Sequence, residues 1–231
     1  MRRERSHAML PTKPINAVIE DVFATRFTCK RYDPDRTVSD EDLNTILEAG
    51  RLSPSSFGLE PWKFLVIPRE SALTDKLREI AWGMKRNAPY SIVILARKHM
   101  EASSPHVAHM MTDVQGASPE DFEQRKDMFA NFQANDLGVV SDPRLMFEWS
   151  CRQAYIALAN MLTTSALLHV DSTPVEGLNY EKVNKFLTDE GTMDPEEFGV
   201  AVMLQVGYHD PTHIMHPKTR QKAEDVVEFL K

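Results

Sequence analysis

The sequence predicts an α+β domain built around one sheet, and two observations carry that expectation. Three short runs, WKFLVI (62–67), YSIVIL (90–95) and VAVMLQV (200–206), are apolar and rich in β-branched residues, as buried strands are. Segments of helical period fall between them without strict βαβ alternation, and no internal repeat or low-complexity linker divides the chain. The 231 residues are therefore read as one domain over 16–231, preceded by a disordered or extended lead at 1–15.

The elements follow in order. Residues 16–28 carry Val18, Ile19, Val22 and Phe23 at helical spacing. Ser39 is placed to cap a helix over 39–50, with Asp42 three residues on to complete a box-like contact. Leu43, Ile46 and Leu47 line one face of it, and Gly50 is expected to end it. Pro61 and Pro68 bracket the first strand, expected to be buried, and residues 71–82 return to helical pattern. Residues 101–143 are polar, Met-rich and poorly patterned, with a helix expected at 118–132. A segment of that length without a clear core face is expected to cover a pocket.

The helix from about Arg144 to Leu168 differs from the others. In QAYIALANMLTTSALL, apolar or small residues occupy every face, which predicts burial all round. A domain of this size rarely encloses a helix completely, so a partner subunit related by a two-fold axis is expected to cover one side.

Composition narrows the function. Lys plus Arg number 27 against 34 Asp plus Glu, a net charge of -7. That balance argues against broad binding to nucleic acid or anionic membrane. No run approaches the roughly 20 apolar residues of a membrane span, and no secretory signal pattern is present. The expectation is a cytoplasmic protein whose two cysteines, Cys29 and Cys151, remain reduced.

Several motifs are candidates for chemistry. No G-x-G pair exists anywhere, so there is no Rossmann fingerprint and no phosphate-binding glycine loop. Any phosphate must be met by side chains, and two basic blocks offer them: RFTCKRY (26–32) and HPKTRQK (216–222). The alternative is that both are solvated basic patches. The SPSSFG turn lacks the context of a nucleophile elbow, and its hydroxyls and amides suit a planar ligand with a polar edge. VDSTPVEGLN (170–179) reads as a loop with a Pro-x-Glu-Gly turn, Glu176 being a base or a turn former. His209, His213 and His216 approach metal-ligand spacing but read as surface histidines, and no metal is expected. Cys29 lies beside Lys30, which would lower its pKa, yet no catalytic arrangement accompanies it.

Taken in order, the blocks RFTCKRYDPDRTVSDEDLNTILEAGRLSPSSFGLEPWKFLVI, DSTPVEGLN and VGYHDPTHIMHPKTR resemble the FMN-dependent nitroreductase family, close to the oxygen-insensitive bacterial type. The resemblance implies a mixed central sheet surrounded by helices in an intertwined homodimer, with two FMN molecules at the subunit interface. By position it implies that Arg26 and Thr28 lie near the phosphate and ribityl chain, joined by Lys218 and Arg220, with Phe27 between them also touching the cofactor, where some relatives carry a smaller or polar residue. Lys30 would reach the pyrimidine edge, and Lys85 the N1/O2 edge. Pro54, Ser55, Ser56 and Gly58 would form a turn along the flavin, often the partner's. Pro174, Val175, Glu176 and Gly177 would form the loop over the central ring, with the Glu176 backbone near N5. Met128 and Phe129 would sit on a lid over the acceptor.

The implied activity is NAD(P)H-dependent, two-electron ping-pong reduction of nitroaromatic, quinone or similar flat acceptors. Negative charge gathering at N1 and O2 is then met by a lysine, so no side chain is assigned as an obligatory acid. The alternatives are a flavin-binding sensor or storage protein without turnover, or a related flavin reductase, enone reductase or dehalogenase.

Overall fold

The computed structural model describes residues 13–230, so most of the expected N-terminal lead lies outside the described residues. Four antiparallel strands form one sheet in the order β1-β2-β4-β3: β1 is Trp62–Pro68, β2 Tyr90–Arg97, β3 Asp171–Val175 and β4 Phe198–Gly207. Among the described residues seven α-helices surround it: α1 Ile15–Thr25, α2 Asp40–Arg51, α3 Ala72–Ile80, α4 Pro105–His109, α5 Pro119–Asn131, α6 Pro143–Leu167 and α7 Tyr180–Asp189. This is the predicted α+β class. No helix of the described residues is long and apolar enough to cross a membrane.

β2 and β4 are the buried centre. All ten residues of β4 are enclosed, because α6 and α2 pack on one face of the sheet and α3 and α7 on the other. β1, expected to be buried, is an edge strand instead. Only Ile67 is fully enclosed there, and Val66 is 37 % exposed. A hydrophobic run cannot by itself distinguish a central strand from an edge strand whose outer side awaits a cover. The loop expected at 170–179 also needs correcting, since 171–175 pairs with β4 as a strand. Its proline is tolerated because β3 is the other edge.

At the start of α2, Ser39 Oγ accepts from the Asp42 N–H at 3.1 Å and donates to the Asp42 carboxylate at 2.9 Å. Gly50 does not end this helix. A Cβ there would come within 2.1 Å of Met161 Cε, so the missing side chain is what lets α2 approach α6 closely. Nor is α6 enclosed all round within one chain. Trp149, Ala154, Leu158 and Met161 face the core, while Leu145, Ile156, Ala159 and Leu167 remain exposed.

The 100–143 segment has a core face after all. Met100, Val107, Met111, Phe129 and Trp149 pack with Leu59 into a separate apolar cluster. Gln133, buried among them, binds the chain at both ends of its amide: Oε1 accepts from Ala102 N–H at 3.0 Å, and Nε2 donates to the Met100 carbonyl at 2.6 Å. Of the two residues expected over an acceptor, only Met128 reaches the surface; Phe129 is wholly enclosed. Methionines and distant aromatics supply this core, and neither leaves a periodic trace in the sequence.

His106 ties this segment to the main domain, its Nε2 2.8 Å from the Leu59 carbonyl oxygen. Burial holds its pKa below the usual histidine value, against the opposing effect of that carbonyl. A folded-state histidine pKa that is depressed means stability complete above about pH 6.5 and lost as pH falls through the folded value. Between pH 7.5 and pH 5, urea denaturation is expected to show a steeper stability loss for the native protein than for His106→Gln. Parallel pH profiles for the two would contradict this.

Candidate functional site

The strap that carries Arg26 to Lys30 is bound to the sheet by buried polar groups. Arg26 caps the C-terminal end of α1, its N–H donating to the Val22 carbonyl at 2.9 Å. Thr28 forms a bridge with Ser172, and Cys29 N–H donates to the Ser172 carbonyl at 3.2 Å. Tyr32 is fully enclosed, its hydroxyl 2.9 Å from Thr173 Oγ1 and 3.0 Å from the Gln205 carbonyl oxygen. Thr173 in turn donates to the Cys29 carbonyl at 2.6 Å. These bonds hold the strap that carries Arg26, Thr28 and Lys30 in one conformation.

Those three residues share a cavity of about 420 Å³ with Met215, Lys218 and Arg220. The two basic blocks, almost two hundred residues apart in sequence, meet in one chain. Lys218 donates to the Phe23 carbonyl, and desolvation together with the Arg26 and Arg220 charges holds its pKa below the usual lysine value. Arg26 Nη1 is buried and has no hydrogen-bond partner among the described residues. An uncompensated buried guanidinium nitrogen beside two further cations is costly unless an anion completes the site. The basic blocks are thus not two separate solvated patches.

A second part of the site lies at the far end of β3. Gly83 N–H donates to the Gly177 carbonyl at 2.6 Å, fixing the Pro174–Gly177 loop against the segment that carries Lys85. Gln205, buried on β4, holds Lys85 by its backbone: Oε1 accepts from Lys85 N–H at 2.6 Å and Nε2 donates to the Lys85 carbonyl at 3.2 Å. Tyr155 on α6 donates to the Glu176 carboxylate, which raises the phenol pKa further above the value that burial already lifts. One oxygen of that carboxylate is thereby tied to α6. The turn around Gly83 and Gly177 admits no side chain on the inner side, because a Cβ on Gly83 would lie 3.0 Å from Gly177 Cα. Gly83→Val is expected to cost about 2 kcal/mol in urea denaturation and to displace this loop; stability within about 0.5 kcal/mol of native would contradict it.

The SPSSFG turn sits elsewhere. Ser56 N–H donates to Gln153 Oε1 at 2.9 Å, and Ser53 Oγ accepts from Asn160 Nδ2 at 2.8 Å. Ser55 Oγ accepts from Glu60 N–H at 2.8 Å. Gln153 and Tyr155 are two residues apart on α6, about 200° around its axis. The turn and the Pro174–Gly177 loop therefore lie on opposite sides of that helix within one chain. Arg26, Phe27, Thr28, Lys30, Lys218 and Arg220 are brought together, with Lys85 and the loop on the same strand system; Pro54, Ser55, Ser56 and Gly58 are not.

The remaining candidates are less suited to chemistry. Burial pushes the Cys29 thiol up to about 12, outweighing Lys30, and the Cys151 thiol likewise to about 12. His213 and His216 are exposed, but His209 is not a free surface histidine: its Nδ1 lies 2.9 Å from Asp171 Oδ2 and its ring meets Phe27 edge-on at 5.5 Å. Among the described residues no group of three His, Cys, Asp or Glu side chains is placed to hold a metal. Tyr32, Gln153, Tyr155 and Gln205 were not foreseen, because single polar residues inside apolar runs carry no pattern.

The family model for the nitroreductase family matches residues 23–208. The chain belongs to the nitroreductase family. A Staphylococcus aureus protein (strain bovine RF122 / ET3-1), provisionally named an NAD(P)H nitroreductase, is 42 % identical over 221 residues, 94 % of this chain and 97 % of that protein. Among solved structures, the provisionally named nitroreductase ydfN of Bacillus subtilis superposes with a TM-score of 0.75 at 19 % identity, covering 93 % of this chain and 100 % of the other. A protein of Exiguobacterium sibiricum 255-15, provisionally a nitroreductase and solved in complex with FMN, gives a TM-score of 0.69 at 17 % identity, covering 91 % and 96 %. The family match includes the first basic block, 26–32, and ends before Lys218 and Arg220, which share its cavity.

Proposed function

We propose that this nitroreductase-family protein is an FMN-dependent oxidoreductase that uses NAD(P)H to reduce nitroaromatic, quinone or similar flat acceptors in the cytoplasm. The observation that carries it is the buried, unpartnered Arg26 Nη1 in a cavity shared with Lys218 and Arg220. Forked guanidinium donors and an ammonium suit a phosphate monoester. The names of the S. aureus relative and of the FMN complex from E. sibiricum point the same way.

Bound there, FMN supplies two-electron transfer between NAD(P)H and the acceptor in a ping-pong cycle. The chain's part is to bind and orient. Arg26, Thr28, Lys218 and Arg220 would hold the phosphate and ribityl chain. Lys30 and Lys85 would place positive charge at the pyrimidine edge, where reduction leaves negative charge. With the Glu176 carboxylate engaged by Tyr155, the Pro174–Gly177 loop would act through its backbone.

We propose a homodimer for two reasons. The SPSSFG turn lies across α6 from the Pro174–Gly177 loop, so a partner's copy would have to supply it beside that loop. One chain also leaves Ile15, Ile19 and Phe23 exposed along one face of α1, and Phe229 and Leu230 almost fully exposed in the C-terminal tail. The purified protein is expected to be yellow, or to become so with FMN, and to bleach anaerobically with NADH or NADPH. A colourless protein that cannot be reconstituted ends this reading; a yellow one that neither nucleotide bleaches favours the sensor or storage alternative.

A further inference from the structure

The SPSSFG turn closes on itself, Gly58 N–H donating to the Ser55 carbonyl at 2.9 Å and Leu59 N–H to the Ser56 carbonyl at 3.3 Å, but in an uncommon backbone shape. Phe57 and Glu60 have positive φ, 56° and 44°, alongside Gly58 at 63°. Such conformations persist in residues with a Cβ only where the surroundings impose them. Three successive carbonyls of this turn accept from the 100–143 segment: Gln115 Nε2 donates to Phe57 O at 3.1 Å and Gly58 O at 2.9 Å, and His106 Nε2 lies 2.8 Å from Leu59 O. Arg125 donates to Gln115 Oε1, and since a guanidinium cannot accept, the amide is oriented with its donors toward the turn. The Phe57 ring adds an apolar anchor, 4.7 Å from Phe129 and 5.3 Å from Phe132 by ring centroid.

We infer that the 100–143 segment, an insert between β2 and α6, is a clamp on the Phe57–Glu60 turn, with Gln115 as a positioning residue that sets where Ser55 and Ser56 point. The inference rests on the reading that this turn borders the flavin. Releasing Gln115 frees Phe57 and Glu60 to relax toward negative φ. That turns the Glu60 amide away from Ser55 Oγ, its partner at 2.8 Å, and the turn loses the shape it offers the ligand. With Gln115 in place the insert and the turn move as one body, so any opening of the insert is felt at the flavin without a direct contact.

The test uses the full chain. Gln115 is exposed, so Gln115→Ala is expected to leave the melting temperature of the flavin-free protein within about 2 °C of native. It should raise the FMN dissociation constant about tenfold and speed hydrogen exchange of the amides at 58–60 about tenfold. Gln115→Glu keeps the length and the Arg125 partner but removes both donors, so it should match or exceed the alanine variant. A residue that only filled space would tolerate it. Asn135→Ala, which breaks a contact within the insert alone, should leave both readouts unchanged. FMN affinity within twofold of native in both Gln115 variants, or unchanged exchange at 58–60, overturns the clamp. If the native protein itself takes up no FMN, the flavin reading fails instead, and the exchange measurement decides the clamp by itself.

Discussion

Arg26→Met is expected to raise the FMN dissociation constant at least about a hundredfold while leaving the fold intact. A guanidinium fork on a phosphate makes charge-assisted hydrogen bonds, each worth about 1.5–3 kcal/mol, and two of them amount to roughly 3 kcal/mol, over two decades in affinity. The site in the free protein adds a second expectation. Arg26 and Arg220 already depress the pKa of Lys218 by repulsion, after desolvation. Removing one of these charges relieves the others, so the flavin-free variant should melt no lower than the native protein. Methionine keeps the aliphatic stem, so the loss reports on the charged head. Quenching of free-flavin fluorescence on titration measures the affinity. A change under threefold would mean that the orphaned nitrogen has another purpose.

Phe129→Ala is the change with the largest expected effect on stability, about 3–4 kcal/mol. Phe129 is fully enclosed and packs on Trp149, with ring centroids 5.9 Å apart, and on Phe57. Removing it opens a cavity beneath the insert, at the point where the insert grips the turn. Urea denaturation with the slope monitored separates two outcomes: a lower midpoint at constant slope indicates global loss, and a smaller slope indicates an insert that loosens first. A residue on an open lid would change turnover and leave the denaturation midpoint in place. That result would return Phe129 to the surface role its neighbour Met128 is free to take.

How much of this was legible in the chain varies with the kind of signal. The cap at Ser39, the helix after it and the central strands β2 and β4 were readable because capping and buried apolar runs are local and repetitive. The role of Gly50 was not, since a glycine near a helix end and a glycine under a crossing helix look alike until Met161 arrives. β3 read as a loop because its five residues include a proline and its pairing partner lies beyond α7. The core of 100–143 was hidden for a related reason: its cluster draws Leu59 and Trp149 from outside the segment.

By itself the amino-acid sequence determined the α+β class, the main helices and central strands, the acidic balance, and the ordered blocks from Arg26 to Arg220 that mark a nitroreductase. Each is a property of residue types and their local spacing, which the chain carries before it folds. Only the tertiary structure decided that Arg26, Lys218 and Arg220 share one cavity and that the SPSSFG turn stands across α6 from the Pro174–Gly177 loop. It also decided that Tyr155 engages Glu176, and that Gln115 and His106 hold the turn's carbonyls. Those are contacts between groups distant in sequence, set by how α6 and the strands pack, and no local pattern specifies where such partners will meet.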